Sequence, residues 1–313
     1  EKSWGEFKED VAKMMAVLQA ENLTTGDRVA ILSNTRYEWT VVDMAAQALG
    51  LISVPVYQSS RFDELEYILN HSEAKLLFVE NIKQYKKWQK IQDQQSSVQA
   101  VLSFDSIKDQ PHLAIADKLK SATPLSPEQF ESLIQERHLE EPATIIYTSG
   151  TTGKPKGVLL QHKQIAHETE HTYGEMPVDR NDSSLCFLPF AHVLGRLESW
   201  AHIYVGFTLA YAESVEKVAD NLKQVRPTIL MSVPRIYEKI YGRLEDTFSR
   251  LGFTKLFFNW GKELAIRNAQ ALQGIRPLSL TDKLQLPVFN ATFGRIIRNI
   301  LGGHLRFAVS GGA

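Results

Sequence analysis

Apolar side chains recur at Phe7, Val11, Met14, Met15 and Leu18, the spacing of one face of a helix. A "TTGD" turn leads into "RVAILS", a strand candidate. A helix follows from Tyr37 to Leu49, and then the β-branched run "LISVPVY" predicts a second strand. Ser60 and Asp63 are spaced as a capping box before "ELEYILNHS". "KLLFVE" and "VQAVLSF" read as two more strands with helical sequence between them. Such alternation predicts an α/β fold with a mainly parallel, doubly wound sheet. Residues 105–140 are more polar and read as loops and short helices. Beyond a glycine- and threonine-rich stretch, a helix is expected from about Lys163. A second set of strands follows: "SSLCFLPF", "FTLAYA", "TILMSV" and "LRFAVSG", with the helix "VEKVADNLKQV" among them. Two subdomains are expected, 1–175 and 176–313, the second with a helical insert over 235–304.

Composition adds little to that picture. The chain has 313 residues, 43% hydrophobic and 23% charged, more than one compact core usually holds. A net charge of −1 gives no general attraction to nucleic acid or anionic lipid, so no nucleic-acid partner is expected. The single cysteine, Cys186, lies in an apolar run and reads as a buried thiol in a reducing compartment. The longest apolar stretch, Trp39 to Tyr57, is interrupted by Asp43, Gln47, Gly50 and Pro55. It fits a helix followed by a strand better than a membrane span. The start at Glu1 and the stop at Ala313 read as those of a piece of a longer protein.

The candidate chemistry is concentrated in "YTSGTTGKPKG", Tyr147 to Gly157. Glycines let successive backbone N–H groups converge on an anion; serine and threonine hydroxyls add donors. Lys154 and Lys156 add charge, and a helix starting soon afterwards would add its N-terminal dipole. The composition is that of a phosphate loop. The Walker A pattern fails, because Pro155 stands where Ser or Thr should follow Lys154.

The stretch from Thr148 to Gly157 resembles the phosphate-loop signature of the adenylate-forming superfamily, which includes acyl-CoA synthetases and peptide-synthetase adenylation domains. "LPFAHVLGR" (Leu188 to Arg196), "SVPRIYEKI" (Ser232 to Ile240) and "LGGHLRFAVSGGA" (Leu301 to Ala313) are most similar to the long-chain fatty acyl-CoA synthetase branch. The resemblance implies the N-terminal part of that fold's large domain: two doubly wound, mainly parallel sheets with flanking helices. The C-terminal lid domain would be absent.

It also implies ATP, Mg²⁺ and coenzyme A, with a fatty acid as the second substrate. A carboxylate attacks the α-phosphate of ATP, pyrophosphate leaves, and the thiol of coenzyme A then takes the acyl group. Charge neutralisation and alignment must supply most of such a step. By the resemblance, Thr148, Ser149, Gly150, Thr151, Thr152, Gly153, Lys154 and Lys156 hold the phosphates. Thr148 and Lys156 would act in catalysis together with His192, which matches a position beside the carboxylate and α-phosphate. The other reading of His192 is a core histidine with a backbone partner. Gly311, Gly312 and Ala313 match a turn on which adenine lies, and equally suit a plain strand-ending turn. Some relatives have an aromatic gate where this chain has Arg196.

Other signals compete. "HETEH", His167 to His171, has the H-E-x-x-H spacing of a zinc site, but Pro177 stands where metzincins have a third histidine. A solvated helix face explains it more simply. The aromatic cluster from Phe253 to Ile266 fits a core, an acyl tunnel or a membrane contact. Arg295, Arg298 and Arg306 suit coenzyme A phosphates, lipid headgroups or a solvated face. The resemblance places the Mg²⁺ ligand, the ribose-binding aspartate and a catalytic lysine beyond residue 313, so this chain alone is expected to be inactive. The cytoplasm, with or without peripheral contact at the inner face of a membrane, is the expected compartment. The rival readings are a non-catalytic nucleotide- or lipid-binding module and a ligase for another carboxylic acid.

Overall fold

The computed structural model describes residues 1–95, 97–148, 153–250 and 255–311. They form two compact units, Glu1–Val178 with Leu188–Gly206, and Asp179–Phe187 with Phe207–Ala313. Residues 188–206 therefore belong to the first unit, where the sequence pattern had placed them in the second.

The first unit runs α1 (Trp4–Ala20), β1 (Arg28–Leu32), α2 (Tyr37–Ala48), β2 (Ile52–Val56), α3 (Phe62–Ser72), β3 (Ala74–Val79), α4 (Ile82–Gln89) and β4 (Ala100–Ser103). Short helices α5 (Ile115–Ser121) and α6 (Pro127–Gln135) fill the polar stretch, followed by β5 (Pro142–Thr148), β6 (Lys156–Gln161) and α7 (His162–Gly174). The sheet order is β4-β3-β1-β2-β5-β6. Every pairing is parallel except β5 with β6. Apart from Arg28 at the start of β1 and Ser53 in β2, both strands are apolar, and they are buried along almost their whole length, as strands covered on both faces must be. Pro55 has no N–H to give to a ladder, and β2 meets β5 at Ser53 and Thr144, where the Thr144 hydroxyl donates to the Ser53 carbonyl at 2.8 Å. α1 buries Val11, Met14, Met15 and Leu18, four of the five positions its periodicity marks, while Phe7 is half-buried. Its start is a capping box between Ser3 and Glu6. α3 has no such box: its N-cap is Arg61, with no side-chain cap bond, so the Ser60–Asp63 spacing does not cap it. The helix begins a residue too late for Ser60, which is buried.

Later in the chain, α8 (Val193–Val205) completes the first unit. The second unit holds β7 (Ser183–Cys186), β8 (Thr208–Tyr211), α9 (Val218–Val225), β9 (Ile229–Ser232), α10 (Pro234–Arg250), α11 (Lys255–Leu272), α12 (Leu280–Ala291), α13 (Phe293–Ile300) and β10 (Phe307–Ser310). Its four strands are parallel in the order β10-β9-β7-β8. Cys186 is buried on β7. The expected insert is helical throughout its described elements, α10 to α13, and has its own core of Phe248, Phe258, Leu264, Phe289 and Phe293.

Candidate functional site

β5 ends at Thr148 and β6 begins at Lys156, and these two residues are register partners in the antiparallel pair. Directly opposite side chains share a face of a sheet, so the Thr148 and Lys156 side chains leave the hairpin on one face, both residues exposed. Residues 149–155 connect the two strands of a hairpin. The helix expected from about Lys163 is α7, which begins at His162; strand β6, which was not expected, lies between the loop and its N-terminus. Gly153 has φ of +90°, a conformation that favours glycine. At Gly157 a Cβ would lie 2.9 Å from Ile145 and 3.2 Å from the Tyr147 ring, so the glycine leaves room for the aromatic residue opposite it. Ser149, Gly150, Thr151 and Thr152 lie outside the described residues.

The base of the hairpin is fastened to α3. The Tyr147 phenol and His71 Nδ1 are 2.8 Å apart, and Tyr67 stacks on His71 with ring centroids 5.3 Å apart. Burial, with a smaller contribution from Tyr67, pushes the Tyr147 phenol up to about 12, so it stays protonated. Lys154 Nζ sits 5.5 Å from the centre of the Tyr67 ring, within cation–π range. Between α3 and Gly153–Pro155 lies a cleft of about 900 Å³, with Glu64, Tyr67, Asn70 and His71 on the helix side and Lys154 on the loop side.

His192 is the N-cap of α8. Its Nδ1 accepts from the Leu194 N–H at 3.2 Å. A neutral imidazole that accepts at Nδ1 must hold its proton on Nε2, so the ring offers an Nε2–H donor. The side chain is half-buried. Gly195 permits the turn: a Cβ there would be 2.6 Å from the Pro189 carbonyl oxygen.

Arg196, one turn further on, is wholly buried. Its guanidinium is sandwiched between Trp39 and Trp200, 4.7 Å from each ring centre, and donates to Asp43 at 2.9 Å. This ion pair escaped the sequence reading. The available signal was a charge set among apolar neighbours in each of two helices, Asp43 in α2 and Arg196 in α8.

The remaining candidates separate. Gly311 donates its N–H to the Ser232 carbonyl in the second unit; Gly312 and Ala313 lie outside the described residues. His167, Glu168, Glu170 and His171 are exposed on α7, the two imidazoles stacked 6.0 Å apart. Among the described residues no group of three or more His, Cys, Asp or Glu side chains could hold a metal. The loop offers hydroxyls and cations, which do not suit a divalent ion, so no step is assigned to Mg²⁺ here. Arg306 is held by Asp182 at 2.7 and 2.9 Å. Burial would raise the Asp182 carboxyl, but bonds from Thr228, Asp179 and Arg306 outweigh it and hold it below the usual range. In the aromatic cluster Phe258 and Leu264 are core, while Phe253 lies outside the described residues. No helix among the described residues is long and apolar enough to cross a membrane.

The family model described as "AMP-binding enzyme" matches residues 1–313, the full length of the chain. The chain belongs to the AMP-binding enzyme family. Among curated relatives, the long-chain-fatty-acid–CoA ligase FadD15 of Mycobacterium bovis is 32% identical over 290 residues, covering 92% of this chain and 48% of the relative. Fatty acyl-CoA synthetase A of Dictyostelium discoideum is 30% identical over 308 residues, covering 93% and 43%. The chain thus spans about half the length of the curated relatives it matches. Among solved structures, a Mycobacterium tuberculosis fatty acyl CoA synthetase superposes with a TM-score of 0.66 at 24% identity, over 75% of this chain and 44% of that one. ATP-bound MatB of Rhodopseudomonas palustris superposes with a TM-score of 0.62 at 23% identity, over 76% and 45%. Both likenesses are of the fold.

Proposed function

We propose that this chain serves the ATP-dependent ligation of a long-chain fatty acid to coenzyme A. The observation that carries the reading is the 32% identity over 290 residues to a ligase of that name. The hairpin supports it: Thr148 and Lys156 are register partners at the base of a loop whose sequence is rich in further donors. In this reading Thr148, Lys154, Lys156 and residues 149–153 hold the polyphosphate of ATP. A carboxylate oxygen attacks the α-phosphorus and the bond to the β-phosphate oxygen breaks. The loop cations stabilise the pyrophosphate that leaves. The Nε2–H of His192 donates to the negative charge gathering on the α-phosphate or the acyl oxygen. The thiol of coenzyme A then attacks the acyl carbonyl, loses its proton, and AMP leaves. Gly311, Gly312 and Ala313 carry the adenine. Mg²⁺ and the lysine of the second step belong, by the resemblance, to sequence beyond residue 313, so these 313 residues alone are expected to make no acyl-CoA.

The test is pyrophosphate release from ATP by the full-length protein, offered saturated acids of graded length together with aromatic and amino acids. Release that depends on coenzyme A and is fastest with long-chain acids is the expected result. Turnover confined to aromatic or amino acids would move the protein to another branch of the family. No release with any acid would leave it a binding module.

A further inference from the structure

His167 and His171 take no part in the proposed ligation, yet the fold sets them together. α7 buries Ile165, Thr169 and Tyr173, one every four residues, and that stripe fixes which way the helix faces. Each histidine follows a buried residue by two positions, about 200° of helical turn, so the pair lies on the side away from the packing. Both are exposed. Residues four apart are neighbours on a helix surface. Here the two imidazoles stack with ring centres 6.0 Å apart and planes 18° from parallel.

Two imidazoles bound to one ion at ~2.1 Å have ring centres roughly 5 Å apart. Exposed side chains close that difference by rotating about χ, with no movement of the helix. The surroundings favour a cation. From His162 to Glu175 the chain has three carboxylates, Glu168, Glu170 and Glu175, against one ammonium, Lys163, and all four residues are exposed. His171 stands in the last turn, where the carbonyl end of a helix is partially negative. At Gly174 an added Cβ would meet nothing within 4 Å, so the space beside that turn is open to water. The arrangement does not make a hydrolytic zinc centre. Among the described residues no third ligand joins the pair. Glu168, which holds the place of a general base, accepts instead from the Thr172 hydroxyl at 3.2 Å.

We propose that His167 and His171 chelate one divalent transition-metal ion between them, with water in its other positions. Neutral imidazole selects nitrogen-preferring ions, Cu²⁺ above Ni²⁺ and Zn²⁺, and leaves Mg²⁺ and Ca²⁺ to oxygen ligands. The two side chains are anchored one turn apart, so the second reaches the ion without a second encounter, and this is the source of the affinity. A bound ion crosslinks the last turns of α7 and therefore favours the folded chain over the unfolded one. The inference does not depend on the ligase reading, and its test reads binding and stability alone.

The test is calorimetric titration with ZnCl₂ and with NiCl₂ of the protein purified without a polyhistidine tag. Four proteins are compared: wild type, His167→Asn, His171→Asn and the double variant. Both positions are exposed, so the fold is retained, and circular dichroism verifies it. Wild type is expected to bind one ion of either metal. Each single variant should lose at least about tenfold in affinity, nearly as much as the double variant, because one imidazole alone does not chelate. Saturating Ni²⁺ should raise the melting temperature of wild type and leave that of the double variant unchanged. Three results would overturn the proposal: wild type that binds neither metal, a double variant that binds as wild type does, or single variants that each keep the wild-type affinity.

Discussion

His192 and His202 stand at the two ends of α8 and hold their ring protons on opposite nitrogens. His192 accepts a backbone N–H at Nδ1, which leaves its proton on Nε2 as a donor. At His202 the partner of Nδ1 is the Ser199 carbonyl, an acceptor, so the proton is on Nδ1. His202 is buried and stacked on Trp4 with centroids 5.5 Å apart. Burial pulls its pKa down from 6.5 to about 4, against the opposing bond to Ser199. The sign follows from linkage. Between pH 6.5 and about 4 the unfolded chain binds a proton that the folded one refuses, so stability falls as pH falls through that window. The loss reaches about 3 kcal/mol at its lower end. Urea unfolding followed from pH 7 downward should show it, and His202→Phe, which keeps an aromatic ring beside Trp4, should flatten the profile. Parallel profiles for the two proteins would show that His202 is not the titrating group.

At the scale of elements, α2 and α8 are tied by Asp43 and Arg196. The tie is buried and incomplete, since Asp43 Oδ2 and the Arg196 Nε and Nη1 atoms have no hydrogen-bond partner. Removing one member leaves an uncompensated buried charge, so Asp43→Ala should destabilise the protein by about 3–5 kcal/mol in denaturant unfolding. Replacing both, Asp43→Leu with Arg196→Met, should return it to within about 1 kcal/mol of wild type, because the desolvation of two ions disappears with them. A double variant as unstable as the single one would contradict this account of the pair. The pair also marks where local sequence stops being informative: its members are 153 positions apart, and no period or propensity connects them. The parallel strands were legible because each is an apolar run between turn residues. β6 was not, since Val158 and Leu159 are 44% and 49% exposed on an edge strand, which gives neither a buried run nor an inward alternation. The Ser60–Asp63 spacing misled for a different reason: the motif is present, but the helix starts at Phe62 and leaves Ser60 outside it. Within the candidate site, the residue types of the loop were readable from composition. The pairing of Thr148 with Lys156 came from the hairpin register, which depends on that unrecognised strand.

The molecule has two sheets, one parallel except for the β5–β6 pair and one wholly parallel, each with its own helices. The first unit carries the β5–β6 hairpin and His192; the second carries Gly311 and the helical insert. In the proposed reaction the β5–β6 hairpin grips the β- and γ-phosphates of ATP. Calorimetric titration of the 313-residue chain with ATP and with AMP, for wild type and Lys156→Ala, tests it directly. Loss of one charge-assisted contact to the terminal phosphates should weaken ATP by at least about tenfold, near 1.4 kcal/mol, and leave AMP within about twofold. Equal affinities for ATP in the two proteins, or equal losses for ATP and AMP, would contradict it.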